Sequence, residues 1–149
     1  MPISATGNSE RGFTLVELMA VLAILALASA AVVFAKPDDG SVVRAEAESF
    51  AARALAARDL AIGDGRSVRL NVTTQGYNVD ERRGGLWTVP EGKAFSPARW
   101  KPGTLVEGQG SAIFDPTGIA SDTLAVTLIR DGAKASVTFD GSGASHVAP

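Results

Sequence analysis

The chain predicts an α+β fold: a long N-terminal hydrophobic helix, an amphipathic second helix, and an antiparallel β domain built as a sheet or sandwich. Three observations carry this. The run from Leu18 to Ala35 is apolar and broken only by Ser29. Between Val43 and Ala61 apolar residues recur at three and four positions, the period of a helix with one buried face. From Ser67 onward the period drops to two, and Gly, Pro, Asn and Asp mark turns at short intervals.

As a helix, Leu18–Ala35 measures about 27 Å at about 1.5 Å per residue, and extending it back to Phe13 gives a full bilayer span of about 30 Å. Glu17 is the single charge between Phe13 and Ala35. A lone carboxylate costs roughly 2.5–3.5 kcal/mol at mid-membrane and less near the interface, so it calls for a partner. A plain secretory signal, cut after Ala28 or Ala30, is the alternative. An acidic residue at the head of the apolar run opposes the positive flank that such signals use.

The residues Arg11-Gly12-Phe13-Thr14-Leu15-Val16-Glu17-Leu18 resemble the leader and N-methylation motif of type IV pilins and of the pseudopilins of type II secretion. The resemblance implies that residues 1–12 are a leader removed by prepilin peptidase, which cuts between Gly12 and Phe13 and methylates the new amino group of Phe13. It implies that residues 13–35 form a single transmembrane helix before assembly and a filament core afterwards. Glu17 becomes an assembly contact facing the N-terminal amine of an adjoining subunit, which satisfies the rule that a buried charge is paired. The leader carries only Arg11 against Glu10, less basic than such leaders usually are.

Past the apolar run, Lys36-Pro37-Asp38-Asp39-Gly40 predicts a kink or stop. Residues 36–65 then form an amphipathic helix and its cap. Helical periodicity from Ser41 puts Val43, Ala47, Phe50, Ala54, Ala57 and Ala61 on one face, and Phe50, Leu55, Leu60 and Ile62 are expected to supply most of the core volume. Gly63-Asp64-Gly65 ends the helix. Residues 66–149 make up the β domain. Ser67–Val72 alternates as a half-buried strand, Thr73–Gly76 is a hairpin turn, and Tyr77 and Val79 share a face. Glu81–Gly85 is expected as a charged, flexible tip. Leu86–Val89 is a short strand stopped by Pro90, and residues 91–103 read as a loop. Leu105–Glu107 and Ser111–Phe114 are strands, Asp115-Pro116-Thr117-Gly118 is a turn, and residues 123–147 form a β-meander.

The helix end Ala57–Ile62, the segment Gly65–Leu70, and Ile113–Gly118 with a Gly-marked closing hairpin look like the GspH/FimT family of H-type minor pseudopilins and related minor pilins. That resemblance implies a type IV pilin-like fold and a structural role in the tip region of the type II secretion pseudopilus, which helps drive folded proteins across the outer membrane. It implies prepilin peptidase, the other major and minor pseudopilins and the inner-membrane assembly platform as partners. The expected location is the bacterial inner membrane, single-pass, with the C-terminal domain in the periplasm. The alternative is a minor type IV pilin of the FimT kind, serving pilus assembly, adhesion or DNA uptake. A periplasmic binding protein or enzyme released from a signal peptide is the third reading.

Composition argues against chemistry. The chain has no cysteine, which excludes disulfides, thiolate metal sites and cysteine nucleophiles, and one histidine, His146, near its end. No catalytic constellation, cofactor site or metal site is expected; calcium, which related major pseudopilins bind, is the one ion kept open. Fourteen basic side chains against 16 acidic ones give a net charge of −2, and the charges are interspersed, so no nucleic-acid footprint is expected. Asp38, Asp39, Asp80, Glu81, Asp115 and Asp122 read as turn or surface residues. Trp87 and Trp100 read as core or rim aromatics, and Arg82-Arg83 as a solvated tip or, more sharply, as a pair of cations for acidic groups on a neighbour.

Overall fold

The structure, a computed structural model, describes residues 13–35 and 38–148, without the side chains of 32–35. The leader, Gly12 and the predicted break at Lys36-Pro37 lie outside the described residues. The chain divides into two compact units, Met1–Pro37 and Asp38–Pro149.

In the first unit, α1 runs over Leu15–Ala35, 21 residues. Thr14 starts it: its carbonyl accepts from Leu18 N at 3.1 Å, and its Oγ1 accepts from Glu17 N at 3.2 Å, which satisfies one of the orphan donors of the first turn. Ser29, the one polar residue of the apolar run, returns its hydroxyl to Leu25 O at 2.8 Å, so it asks nothing of its surroundings. Phe13, Leu15, Leu22 and Leu27 are all exposed. Among the described residues no helix is long and apolar enough to cross a membrane. The part of α1 with described side chains ends at Ala31, about 25 Å from its start and short of a roughly 30 Å hydrocarbon core.

In the second unit, α2 runs over Asp39–Asp64, 26 residues, starting two residues before the expected Ser41. Asp38 is its N-cap, accepting from Ser41 N at 3.0 Å, while Ser41 Oγ donates to Asp38 O at 2.7 Å. Gly65 closes it in the left-handed conformation, φ 61°, with its N–H on Ala61 O. The stripe Val43, Ala47, Phe50, Ala54, Ala57 and Ala61 is fully buried. Leu55 and Ile62, by contrast, are 38% and 46% exposed and do not fill the core as expected. Each lies one residue past an alanine of the stripe, about 100° around the helix, and so faces away. Core volume comes instead from the sheets, through Leu70, Phe114, Leu128 and Phe139.

The strands are β1 (Val68–Val72), β2 (Gly76–Arg83), β3 (Leu86–Thr88), β4 (Ala98–Arg99), β5 (Leu105–Glu107), β6 (Gly110–Phe114), β7 (Leu124–Arg130), β8 (Ala133–Phe139) and β9 (Ser145–Ala148). They form two antiparallel sheets. One has the order β3-β2-β1-β6 with β4 also on β2, and the other β5-β7-β8-β9. The helix touches β1 and β6 of the first sheet and β7, β8 and β9 of the second, so both sheets lay their inner faces on one alanine-rich stripe. Small side chains let the strands approach the helix backbone closely.

Phe50 is where the layers meet. Its ring stands edge-on to Tyr77 of β2 at 4.9 Å, to Trp100 at 5.3 Å and to Phe139 of β8 at 5.5 Å, arrangements that suit the aromatic quadrupole. Trp100 belongs to the core, and its Nε1 donates to Thr73 O at 2.9 Å. The stretch expected as a loop therefore has structure: a 3-10 turn at Lys93–Phe95, then β4.

The expected tip at Glu81–Gly85 also differs. Strand β2 runs through Arg83, and only Gly84-Gly85 turn. Period two from Tyr77 and Val79 carries Glu81 onto the inner face, where it is 1% exposed and ion-paired with Arg83 through Oε1. It is not a surface residue.

Truncating Phe50 to Ala should remove about 3–5 kcal/mol of unfolding free energy, whereas Leu55→Ala should cost under about 1 kcal/mol. Urea unfolding of the full chain in detergent, followed by Trp100 fluorescence, compares the two. Equal losses would mean Phe50 does not hold the layers together.

Candidate functional site

The residues expected to act in assembly sit at the start of α1. Phe13 precedes the helix and is 73% exposed. Glu17 lies in the first turn, where a carboxylate is favoured by the helix dipole. Thr14-Leu15-Val16-Glu17 has the spacing of a capping box, in which the acid would reach back to the threonine N–H. Only half of that box forms: Thr14 Oγ1 takes the Glu17 N–H, and among the described residues the Glu17 carboxylate has no partner. The start of the helix is thus secured by Thr14 while the acid stays available. Gly12 lies outside the described residues.

In the second unit, both ends of α2 are fastened by polar contacts, several through residues whose roles the sequence did not disclose. At the N-terminal end, Glu46 is 7% exposed. Its Oε1 accepts from Lys101 N at 2.6 Å and its Oε2 from Thr104 Oγ1 at 2.8 Å, so the buried carboxylate is hydrogen-bonded on both oxygens. Near the middle of the helix, just past Phe50, Arg53 Nη1 donates to Ser96 O. Arg130 joins in from β7, with Nε to Asp39 Oδ1 at 3.1 Å and Nη1 to Pro102 O at 2.8 Å. Residues 96–104 are thereby strapped across the helix where the chain passes from one sheet to the other. Glu46 lies three residues after Val43 and four before Phe50, on the buried stripe itself, and that spacing is the signal that points to it.

At the C-terminal end, Arg58 Nε donates to Gly118 O at 3.0 Å, in a turn that stacks on the 140–143 turn through Ala120 N to Gly141 O at 3.2 Å. The two turns are built alike. Asp115 Oδ1 accepts from Thr117 N, Thr117 Oγ1 and Ile119 N. Asp140 Oδ1 accepts from Ser142 N, Ser142 Oγ and Ala144 N. The Thr117 hydroxyl first, then the Ile119 amide, hold the Asp115 carboxyl below its ordinary 3.8, and the Ser142 hydroxyl does the same for Asp140. Burial raises the Tyr77 phenol, opposed by Arg53 and helped by Glu46. His146 is exposed on β9, its Nε2 3.9 Å from Asp140 Oδ2. Among the described residues no group of His, Cys, Asp and Glu could hold a metal ion.

Comparison with known proteins assigns this architecture. A family model described as type II transport protein GspH matches residues 46–145. The chain belongs to the GspH family. A second model, the prokaryotic N-terminal methylation motif, matches residues 7–33. No curated protein sequence matches the chain.

Solved structures agree on the fold. The minor pseudopilin EpsH from the type 2 secretion system of Vibrio cholerae superposes with a TM-score of 0.62 at 15% identity, covering 74% of this chain and 97% of that one. The type IV minor pilin FimU of Pseudomonas aeruginosa PAO1 gives 0.57 at 13% identity, covering 73% and 90%. The fold is α+β and type IV pilin-like. The family match runs over residues 46–145, so it contains the 96–104 strap, the twin turns and strands β1 to β8. The family is described as a transport protein, and the two structural neighbours as a minor pseudopilin and a minor pilin.

The depressed carboxyls of Asp115 and Asp140 contribute stability that is fully present above the ordinary value of 3.8 and lost as pH falls through the lowered folded values. The double variant Asp115→Asn, Asp140→Asn should therefore melt below the unsubstituted chain at pH 7, with the gap closing as the solution is acidified past that range. Thermal melts across a pH series check this. A gap independent of pH would place the effect in packing rather than charge.

Proposed function

We propose that this GspH-family chain is a minor pseudopilin, a structural subunit in the tip region of the type II secretion pseudopilus. The observation that carries the reading is the carboxylate of Glu17, unpartnered among the described residues, at the head of a helix otherwise free of charge. A charge with no local use on an apolar helix is suited to an opposite charge brought by another subunit. The methylation-motif match over residues 7–33 and the family match over 46–145 on one chain support the same reading.

On this reading prepilin peptidase cuts between Gly12 and Phe13, and Phe13 acquires an N-methyl group. Residues 13–35 hold the subunit in the inner membrane as a single span, with the C-terminal domain in the periplasm. On assembly the helix leaves lipid for the filament core, and Glu17 pairs with the amine of a neighbour's Phe13. Other pseudopilins and the inner-membrane assembly platform are its partners.

The likeness to FimU favours a second reading, a minor type IV pilin. Co-purification separates them: capture of other pseudopilins of the secretion system supports the first, and capture of pilus subunits instead supports the second.

Mass spectrometry of the mature chain should find methyl-Phe13 at its N-terminus; a chain starting near Ser29 or Ala31 would refute both filament readings. Glu17→Ala should lower incorporation into filaments by at least about tenfold, the usual scale for leaving a buried charge unpaired, while leaving the domain's melting temperature unchanged. Normal incorporation of that variant would remove Glu17 from assembly.

A further inference from the structure

The outer face of the first sheet has no part in the subunit reading. Because Val68, Leu70, Val72, Tyr77 and Val79 point into the core, alternation places Arg69, Asn71, Asn78, Asp80 and Arg82 together on the opposite side. The register adds Trp87 opposite Arg82 and Arg99 opposite Gly76. Among these residues Asp80 is the sole acid, and it is used locally: Oδ2 accepts from Arg69 Nη2 and Asn71 Nδ2, both at 2.9 Å, and Oδ1 from Asn78 Nδ2 at 3.1 Å.

That network fixes Arg69, whose guanidinium carbon lies 4.5 Å from the Trp87 ring centre, while that of Arg82 lies 5.8 Å away. Trp87 is thus half-buried, with two cations against its ring. Arg82 and Arg99 are exposed, and among the described residues neither has a carboxylate partner. The face therefore carries uncompensated positive charge on a chain whose net charge is −2, and its free guanidinium forks match carboxylates in geometry as well as sign.

We propose that this face docks an extended, acidic protein segment. Arg82 and Arg99 take its carboxylates, and Trp87 packs against its apolar stems. The spacing sets the length: Arg99 lies level with Gly76, and Gly76 to Arg82 along β2 spans roughly 20 Å at about 3.4 Å per residue, the reach of about six extended residues. Nucleic acid fits less well. Two free cations that far apart would leave most phosphates of a bound strand unmatched, and one tryptophan is a single stacking position where strand binding uses several. The proposal does not depend on the subunit reading, which the Phe13 and Glu17 measurements decide separately.

The full chain in zwitterionic-lipid nanodiscs, titrated against fluorescent hexaglutamate, tests it by anisotropy at low salt. Hexaglutamate should bind, and the double variant Arg82→Glu, Arg99→Glu should weaken binding at least about tenfold. Trp87→Ala should weaken it too. Arg44→Glu, a change on the exposed face of α2 where Arg44 already pairs with Glu48, should leave it within about twofold. If charge reversal unfolds the domain by circular dichroism, Arg82→Gln, Arg99→Gln replaces it, with loss of binding again expected. Absence of hexaglutamate binding, equal loss in Arg44→Glu, or tighter binding of a thymidine hexanucleotide than of hexaglutamate would each overturn the proposal.

Discussion

The second unit depends on Phe50. Helix α2 offers its sheets a stripe that is otherwise mostly alanine, and alanine buries little area per residue. A stripe of that kind brings strands close but gives them little to grip. One large ring at its centre, edge-on to Tyr77, Trp100 and Phe139, converts close approach into interlocking. The three partners come from the first sheet, the crossing segment and the second sheet, so Phe50 touches and positions all of them. A chain without cysteine has no covalent alternative.

The ends of α2 are held by a different physics. Away from Phe50 the helix meets connecting segments, whose backbone polar groups need partners wherever they are covered. Glu46 supplies two acceptor oxygens to Lys101 and Thr104, Arg130 and Arg53 supply donors to the carbonyls of Pro102 and Ser96, and Arg58 does the same for the turn at Gly118. Gly143 shows how tight the far end is: with φ 75°, a Cβ there would lie 2.5 Å from Gly118 O and 2.8 Å from the Arg58 side chain. Apolar packing thus fixes the centre of the helix, and charge-assisted hydrogen bonds fix its two ends.

What the sequence discloses follows the same division. Apolar periods report which face of an element is buried, so the α2 stripe and the alternation of β1 and β2 were legible. So were the turns at Asp115 and Gly132, because Pro, Gly and Asp act through their own backbone preferences. Apolar character alone predicts burial for Leu55 and Ile62, but their angle on the helix turns them outward. Glu81 and Glu46 were missed for the opposite reason: charge suggested surface, while the period placed Glu81 inside and the contacts of Glu46 come from residues more than fifty positions away. Residues 96–104 are likewise fastened by distant partners, Glu46, Arg53, Thr73 and Arg130, and no local pattern announces those contacts.

At the other end of the chain, the relation between Thr14 and Glu17 bears on why a charge is retained on an apolar helix. Were the capping box complete, Glu17 would have a structural explanation and its acidity would say nothing about assembly. Instead the threonine caps the helix by itself, and the carboxylate is left one turn in, near the positive end of the helix dipole and flanked by the exposed side chains of Phe13 and Leu15. Dipole stabilisation is worth about 0.3–1 kcal/mol at an exposed site, against a cost that reaches roughly 2.5–3.5 kcal/mol for an ion at mid-membrane and is smaller near the interface. The helix's own groups therefore leave Glu17 without a partner, and the amine proposed from a neighbouring subunit is the kind of opposite charge that would supply one.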